Sequence, residues 1–267
     1  VIVGANNSAH DICASLWEND ANVAMIQRSS THLVKSDSLR EVVLGPLYSE
    51  EAVASGLSHD MADMIFASIP YKVLPEIQKA AFDEIRERDA DYYRKLEDAG
   101  YLLDFGADDS GLFLKYLRRG GGYYIDVGAC DLVASGDIKL HSGVNIERIN
   151  PESVTLTDGT ELPADLIVYA TGYGSMNSWA AHLISQDVAD KVGKCWGMGS
   201  STPKDPGPWE GELRNMWKPT QQEGLWFQGG NLHQSRHYSH YLALQIKARM
   251  EDIPTPVYGR QEVHHLA

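Results

Sequence analysis

The residues best placed to do chemistry stand at the start of the chain. Gly4, Asn6, Asn7, Ser8 and Ala9 follow a short β-branched run, Val1-Ile2-Val3. Behind them comes an amphipathic segment with Ile12, Leu16 and Trp17, then a second apolar run, Val23-Ala24-Met25-Ile26. This order reads as strand, glycine turn, helix and strand, the opening of a dinucleotide-binding βαβ unit. The chemistry on offer is anion binding. Backbone N–H groups at a helix N-terminus point at a pyrophosphate, and the helix dipole favours its charge. The usual pattern is G-x-G-x-x-G/A, and here it reads Gly4-Ala5-Asn6-Asn7-Ser8-Ala9. Gly4 keeps the tight turn, and Ala9 is small enough for close helix–strand packing. Asn6 replaces the middle glycine; asparagine tolerates left-handed backbone angles better than most residues, and its amide can hydrogen-bond phosphate.

The end of the second strand points to the nucleotide. An NAD site ends that strand in Asp or Glu, which holds the ribose 2′-hydroxyl. This chain has Gln27-Arg28-Ser29-Ser30-Thr31 instead. A guanidinium with neighbouring hydroxyls suits a 2′-phosphate through charge-assisted hydrogen bonds. The residues therefore favour NADP(H) over NAD(H), with Arg28, Ser29 and Ser30 at the phosphate.

These groups need a scaffold. Residues 34 to about 120 read as mostly helical. Ser36-Asp37-Ser38 and Ser49-Glu50-Glu51 offer helix caps. The longest helix is expected from Pro75 to about Ala99, with Gly100 as its stop and Ile77, Ala81, Ile85, Tyr92 and Leu96 on one face. The charge run Glu84-Arg86-Glu87-Arg88-Asp89 reads as its solvated side. Gly120-Gly121-Gly122 lacks the lysine and hydroxyl of a phosphate loop and reads as a flexible connection. Strands are expected over 137–140 and 143–149, and a hairpin over 153–162 turns at Asp158-Gly159. Asp165 to Ala170 has the continuous apolar run of a buried parallel strand. It ends in Thr171-Gly172-Tyr173. A last strand is expected at Leu225-Trp226-Phe227-Gln228, a turn at Gly229-Gly230-Asn231, and a closing helix from His237 to Met250.

Composition sets outer limits. The chain has 267 residues, enough for one large domain or two modest ones, with 43% hydrophobic and 22% charged residues. A formal charge of −14 argues against nucleic acid or an anionic membrane as the main partner. No apolar run approaches the ~18 residues of a membrane span. The three cysteines, Cys13, Cys130 and Cys195, form no C-x-x-C pair. A reducing, cytoplasmic setting is the expectation.

Taken together these segments resemble the flavin-containing monooxygenase family. The likeness lies in the G-x-x-N-S-A turn, the basic Q-R-S-S after the second strand, the D-G hairpin, Ala170-Thr171-Gly172-Tyr173, and the Gly-Gly-Asn turn before the last helix. It covers most of the chain, although the helical block is longer than the family pattern. The resemblance implies an α/β fold in two parts. Residues 1–172 would be a Rossmann-like NADP-binding domain with a helical insertion at about 34–120. Residues 173–267 would be the C-terminal part of a discontinuous FAD-binding domain. The family's N-terminal FAD fingerprint is absent from these residues, so the chain is expected to be a truncated portion, inactive alone.

The resemblance also assigns residues. It puts the NADP pyrophosphate at Gly4, Asn6, Asn7, Ser8 and Ala9, and makes Ala170, Thr171, Gly172 and Tyr173 the crossing between domains. It puts Gly230, Asn231 and Leu232 at the flavin. Its activity is FAD- and NADPH-dependent oxygenation of a soft nucleophile or a carbonyl through a C4a-hydroperoxyflavin. The partners are O2 and a small-molecule substrate, and the helical block offers surface for a homodimer. No residue is assigned as catalytic.

Two other clusters have rival readings. His233, His237 and His240 share a helix face and could hold a metal, but no carboxylate stands at a matching step, so no metal site is assigned. Trp209, Trp217, Trp226, Tyr238 and Tyr241 could form an aromatic box, with core packing the favoured reading. At the level of function, another two-dinucleotide flavoprotein reductase and a non-enzymatic NADP(H)-binding module remain as alternatives.

Overall fold

The computed structural model describes residues 1–198 and 211–257. Contacts divide the chain into two compact units. The first comprises residues 1–44, 76–116 and 121–173, and the second residues 45–75, 117–120 and 174–267.

The first unit is built on the expected βαβ start. Strand β1 (Ile2–Val3) leads through the turn into helix Asn7–Glu18 and then β2 (Val23–Gln27). β3 (His32–Lys35) follows at once and pairs in parallel with β4 (Tyr123–Asp126). β5 (Ile138–Ser142) comes next. β6 (Ile146–Ile149), β7 (Ser153–Leu156) and β8 (Glu161–Pro163) form an antiparallel meander, and β9 (Val168–Tyr169) ends the unit. The main sheet is parallel, in the order β5-β2-β1-β9. This is an α/β arrangement compatible with a Rossmann-like fold.

Alternation decides which layer covers which face. Ile2 and Met25 point to the helices and are fully buried with Ala9, Cys13 and Ile138. Val3 and Ile26 point the other way and pack on Val154 and Leu156 of the meander. Each fully buried aliphatic side chain contributes roughly 1.5–3 kcal/mol. The Asp158-Gly159 hairpin forms as expected, with Gly159 at φ 87° and Asp158 Oδ1 accepting from the Thr160 amide at 3.0 Å.

Several expectations are corrected. The single helix from Pro75 to Ala99 is two helices, Leu74–Arg88 and Ala90–Asp98, broken at Asp89. Asp89 is buried rather than part of a solvated run. Its carboxylate accepts from Lys35 Nζ at 3.2 Å and Ser38 Oγ at 2.5 Å, which no helix-surface position could arrange. The buried face is Gln78, Phe82 and Ile85, while Ile77 is 46% exposed. Ser36 begins a short turn without capping it, whereas Ser49 does cap, accepting from the Ala52 amide at 3.1 Å. Gly122 is no loose connection, since its carbonyl accepts from the His32 amide at 3.1 Å at the entrance to β4. The run over 165–170 forms only the two-residue edge strand β9, with Leu166 and Tyr169 more than half exposed.

The second unit is mainly helical among its described residues. Helix His59–Ser68 packs against the closing helix, which runs Leu232–Met250 and so begins five residues before His237. No strand forms at 225–228; Phe227 makes an isolated bridge to Met216. Trp217 stacks on Tyr238 at 4.6 Å, and Trp209 lies outside the described residues. No helix of the described residues is long and apolar enough to cross a membrane.

Two buried imidazoles make the first unit acid-sensitive. Burial pushes His10 and His32 down from 6.5 to about 4. Below pH 6.5 the unfolded chain takes up protons at these two histidines that the folded chain refuses, so their share of the stability falls between pH 6.5 and 4 and levels off below. Each group accounts for up to about 3 kcal/mol of that fall. Urea midpoints measured from pH 7 to pH 4 should decline, and His10→Gln should flatten the slope. An unchanged slope in the variant would remove His10 from the explanation.

Candidate functional site

The turn after β1 is held on both sides by backbone. The Gly4 amide donates to the Ile26 carbonyl at 3.0 Å, and the Ala170 amide donates to the Val3 carbonyl at 2.8 Å. Gly4 has φ 133°, and a Cβ there would stand 2.3 Å from the Ala170 carbonyl oxygen. Only glycine fits both the angle and the space. The structure thus brings Ala170 against the Gly4 turn, although the two are far apart in sequence.

Beyond the turn the chain enters helix Asn7–Glu18. Asn6 is its N-cap at φ −104°, so the residue in place of the middle glycine needs no left-handed angle. Its side chain makes no capping bond, and no acidic residue stands in the first turn. Its Oδ1 receives only a long 3.5 Å contact from the Thr31 hydroxyl. Ser8 is exposed and Ala9 is fully buried. These features leave the positive end of the helix open to an anion. Asn7 is different. Its Oδ1 accepts from the Ile125 amide at 3.0 Å and so ties the helix to β4.

A second layer supports the turn. Tyr101 donates its hydroxyl to the Ala5 carbonyl at 3.0 Å. His10 bonds the Asn6 carbonyl through Nδ1 at 3.1 Å and stacks on Tyr124 at 4.1 Å. His10 has a local signal, four residues along the helix from Asn6. Tyr101 has none, because ninety-six residues separate it from Ala5.

Arg28, Ser29 and Ser30 are exposed at the C-terminal end of β2. Their anchor is Gln27, which is fully buried. Its amide exchanges hydrogen bonds with the Leu102 backbone at 2.8 and 2.9 Å and accepts from Ser142 at 3.0 Å. The Asp104 carboxylate accepts from Lys115 and from the Gly106 amide. Burial alone would raise Asp104, but these hydrogen bonds outweigh it and hold its pKa below the ordinary value. The Arg28 side chain has no hydrogen-bond or ion-pair partner among the described residues. Past Ala170, Thr171, Gly172 and Tyr173 are also exposed, Tyr173 at 95%.

In the second unit, Gly230 has φ 96° and Asn231 caps the closing helix, its Oδ1 accepting from the Gln234 amide at 3.0 Å. Leu232 is 86% exposed, and the first turn holds no acidic residue. His233 lies within the helix, not before it. It stacks on Tyr48 at 5.4 Å and meets Phe66 edge-on at 4.7 Å, and burial pushes its pKa to about 4. His237 contacts Tyr238 and Tyr241 instead. Among the described residues no three His, Cys, Asp or Glu side chains gather as metal ligands would.

No family model matches the chain. It is similar to the probable indole-3-pyruvate monooxygenase YUCCA7 of Arabidopsis thaliana, with 28% identity over 67% of this chain and 35% of that protein. It is also similar to the indole-3-pyruvate monooxygenase YUCCA8 of Oryza sativa subsp. indica, with 25% identity over 76% and 41%. The probable indole-3-pyruvate monooxygenase YUCCA10 of Arabidopsis thaliana matches with 25% identity over 81% and 46%. The chain spans less than half the length of these curated relatives. The resemblance read from the sequence is borne out: curated homologues of this chain are flavin-containing monooxygenases.

The two asparagines of the turn should separate cleanly in stability. Asn7→Ala strands the part-buried amide of Ile125 and is expected to cost about 1–2 kcal/mol. Asn6→Ala loses only a long contact and should stay within ~0.5 kcal/mol. Chemical denaturation of the two variants reads the difference, and equal losses would contradict these roles.

Proposed function

We propose that this chain is the NADP-binding domain, with the C-terminal part of the FAD-binding domain, of a flavin-dependent monooxygenase that uses NADPH and O2. The observation that carries this reading is the Gly4 turn closed against the Ala170 carbonyl, with an uncapped and acid-free helix start beside it. The similarity to flavin-containing monooxygenases supports it. Its substrate class is a soft nucleophile (amine or sulfide) or a carbonyl compound.

The residues present fit the groups this function needs. The amides at the start of helix Asn7–Glu18 would receive the NADP pyrophosphate, with Asn6 and Ser8 adding side-chain contacts. Gly4 lets the chain turn sharply enough to expose them. Arg28 would hold the 2′-phosphate, with Ser29 beside it. Ser30, exposed like both of them, would add a second hydroxyl. Thr171, Gly172 and Tyr173 would form the crossing that approaches the nucleotides. In the second unit, Gly230, Asn231 and Leu232 would place the positive end of helix Leu232–Met250 toward the flavin, favouring negative charge there. When bound, the flavin supplies oxygen transfer and NADPH the electrons. The protein's part is binding, orientation and exclusion of water.

Titration with NADPH and NADH, followed by tryptophan fluorescence, tests the nucleotide site. Trp17, on the helix behind the turn and 38% exposed, is the intended reporter. NADPH should bind about 10–100-fold tighter than NADH, the worth of charge-assisted contacts to a phosphate. Arg28→Ala should erase that preference and leave NADH binding nearly unchanged. Equal affinity for both nucleotides in the unaltered chain would sink the assignment of Arg28.

A further inference from the structure

Asp63, on helix His59–Ser68, is a carboxylate with its side chain only 1% exposed. Three donors satisfy it. Arg236 donates through Nε to Oδ2 at 2.6 Å and through a terminal nitrogen to Oδ1 at 2.8 Å, and the Tyr48 hydroxyl donates to Oδ1 at 2.9 Å. Burial alone would raise the Asp63 pKa, but these hydrogen bonds and the Arg236 charge prevail and lower it. The carboxylate therefore stays ionised at neutral pH.

Arg236 lies in the first turns of the closing helix. Around it, His233 lies between Tyr48 and Phe66, and Gln234 donates to the Tyr71 hydroxyl at 3.2 Å. Residues 233, 234 and 236 are thus all gripped by side chains from residues 45–75, the stretch of the helical insertion that belongs to this unit. A planar guanidinium held on two nitrogens fixes rotation as well as distance, which a single ion contact does not. Asn231 caps this same helix five residues before Arg236.

We infer that Asp63 is a positioning residue: through Arg236 it sets where the Gly230-Asn231-Leu232 turn and the helix start present themselves to bound flavin. This rests on the proposed placement of flavin at that turn. It also gives the long helical insertion a role, as a brace for the flavin-facing helix.

The test uses the full-length holoprotein carrying Asp63→Asn, Arg236→Lys or Tyr48→Phe. Flavin affinity, the reduction potential of bound flavin and amide exchange at residues 231–236 are measured. Asp63→Asn and Arg236→Lys should each speed exchange at those amides. They should weaken flavin binding about 10-fold and move the potential to more negative values. Lysine should not rescue, because it cannot fork. Tyr48→Phe keeps the ion pair, so it should give the same changes at smaller size, and it serves as the measured variant if the other two do not fold. Faster exchange with unchanged flavin affinity and potential would overturn the inference, leaving the pair a fold contact only. Unchanged exchange would overturn it too. Should the unaltered holoprotein carry its flavin away from residues 230–232, as seen by flavin-dependent protection of those amides, the proposed placement fails. The inference falls with it even if Asp63 still grips the helix.

Discussion

The start of helix Asn7–Glu18, where a nucleotide site is proposed, depends on one close approach of backbone to backbone. β1 is two residues long and lies between β2 and β9, and at its end Gly4 turns beneath the Ala170 carbonyl. A side chain at this point would have to occupy space that the carbonyl fills. The same contact sets the start of helix Asn7–Glu18 and brings Ala170 beside the turn. A short strand has few hydrogen bonds of its own, so its geometry is enforced by both neighbours together.

The helical insertion is joined to this sheet through buried polar side chains rather than through extended pairing. Gln27 mimics a strand partner for Leu102, and Tyr101 reaches the Ala5 carbonyl; within the insertion, Asp89 binds Lys35 and Ser38. Buried polar groups without partners are costly, so each of these contacts is directional and admits few alternatives. Gln27 occupies the strand end at which a ribose-binding carboxylate stands in NAD sites. It serves here as a tether to Leu102, and the exposed Arg28 follows it in the chain. The second unit follows the same rule, with the buried Asp63 carboxylate requiring the forked Arg236.

Much of the first unit was legible in the residues. The β1–helix–β2 start, Gly4, the small Ala9 and the Asp158-Gly159 hairpin rest on local sterics and on periodicity, which act over a few residues. Ser49 as a cap is equally local. Reading failed where a distant partner overrides a local pattern. The helix expected from Pro75 to Ala99 breaks because Asp89 satisfies Lys35 and Ser38. β3 and β4 were missed because four residues give too short a pattern, and they form by pairing with each other across the insertion. The closing helix begins at Leu232 because Asn231 caps it, a signal present in the sequence but overlooked beside the Gly-Gly turn.

The sequence by itself determined the chemistry available: a glycine turn leading into an acid-free helix start, a cation after the second strand, and a resemblance to flavin-containing monooxygenases. These depend on residue type and near-neighbour spacing. Only the tertiary structure decided how the side chains are used. It showed that Asn7 holds β4 while Asn6 is left open, and that His233 packs between aromatic rings. Hydrogen bonds and burial are exchanged between segments tens of residues apart, and no local pattern encodes which of two adjacent asparagines will find a buried partner.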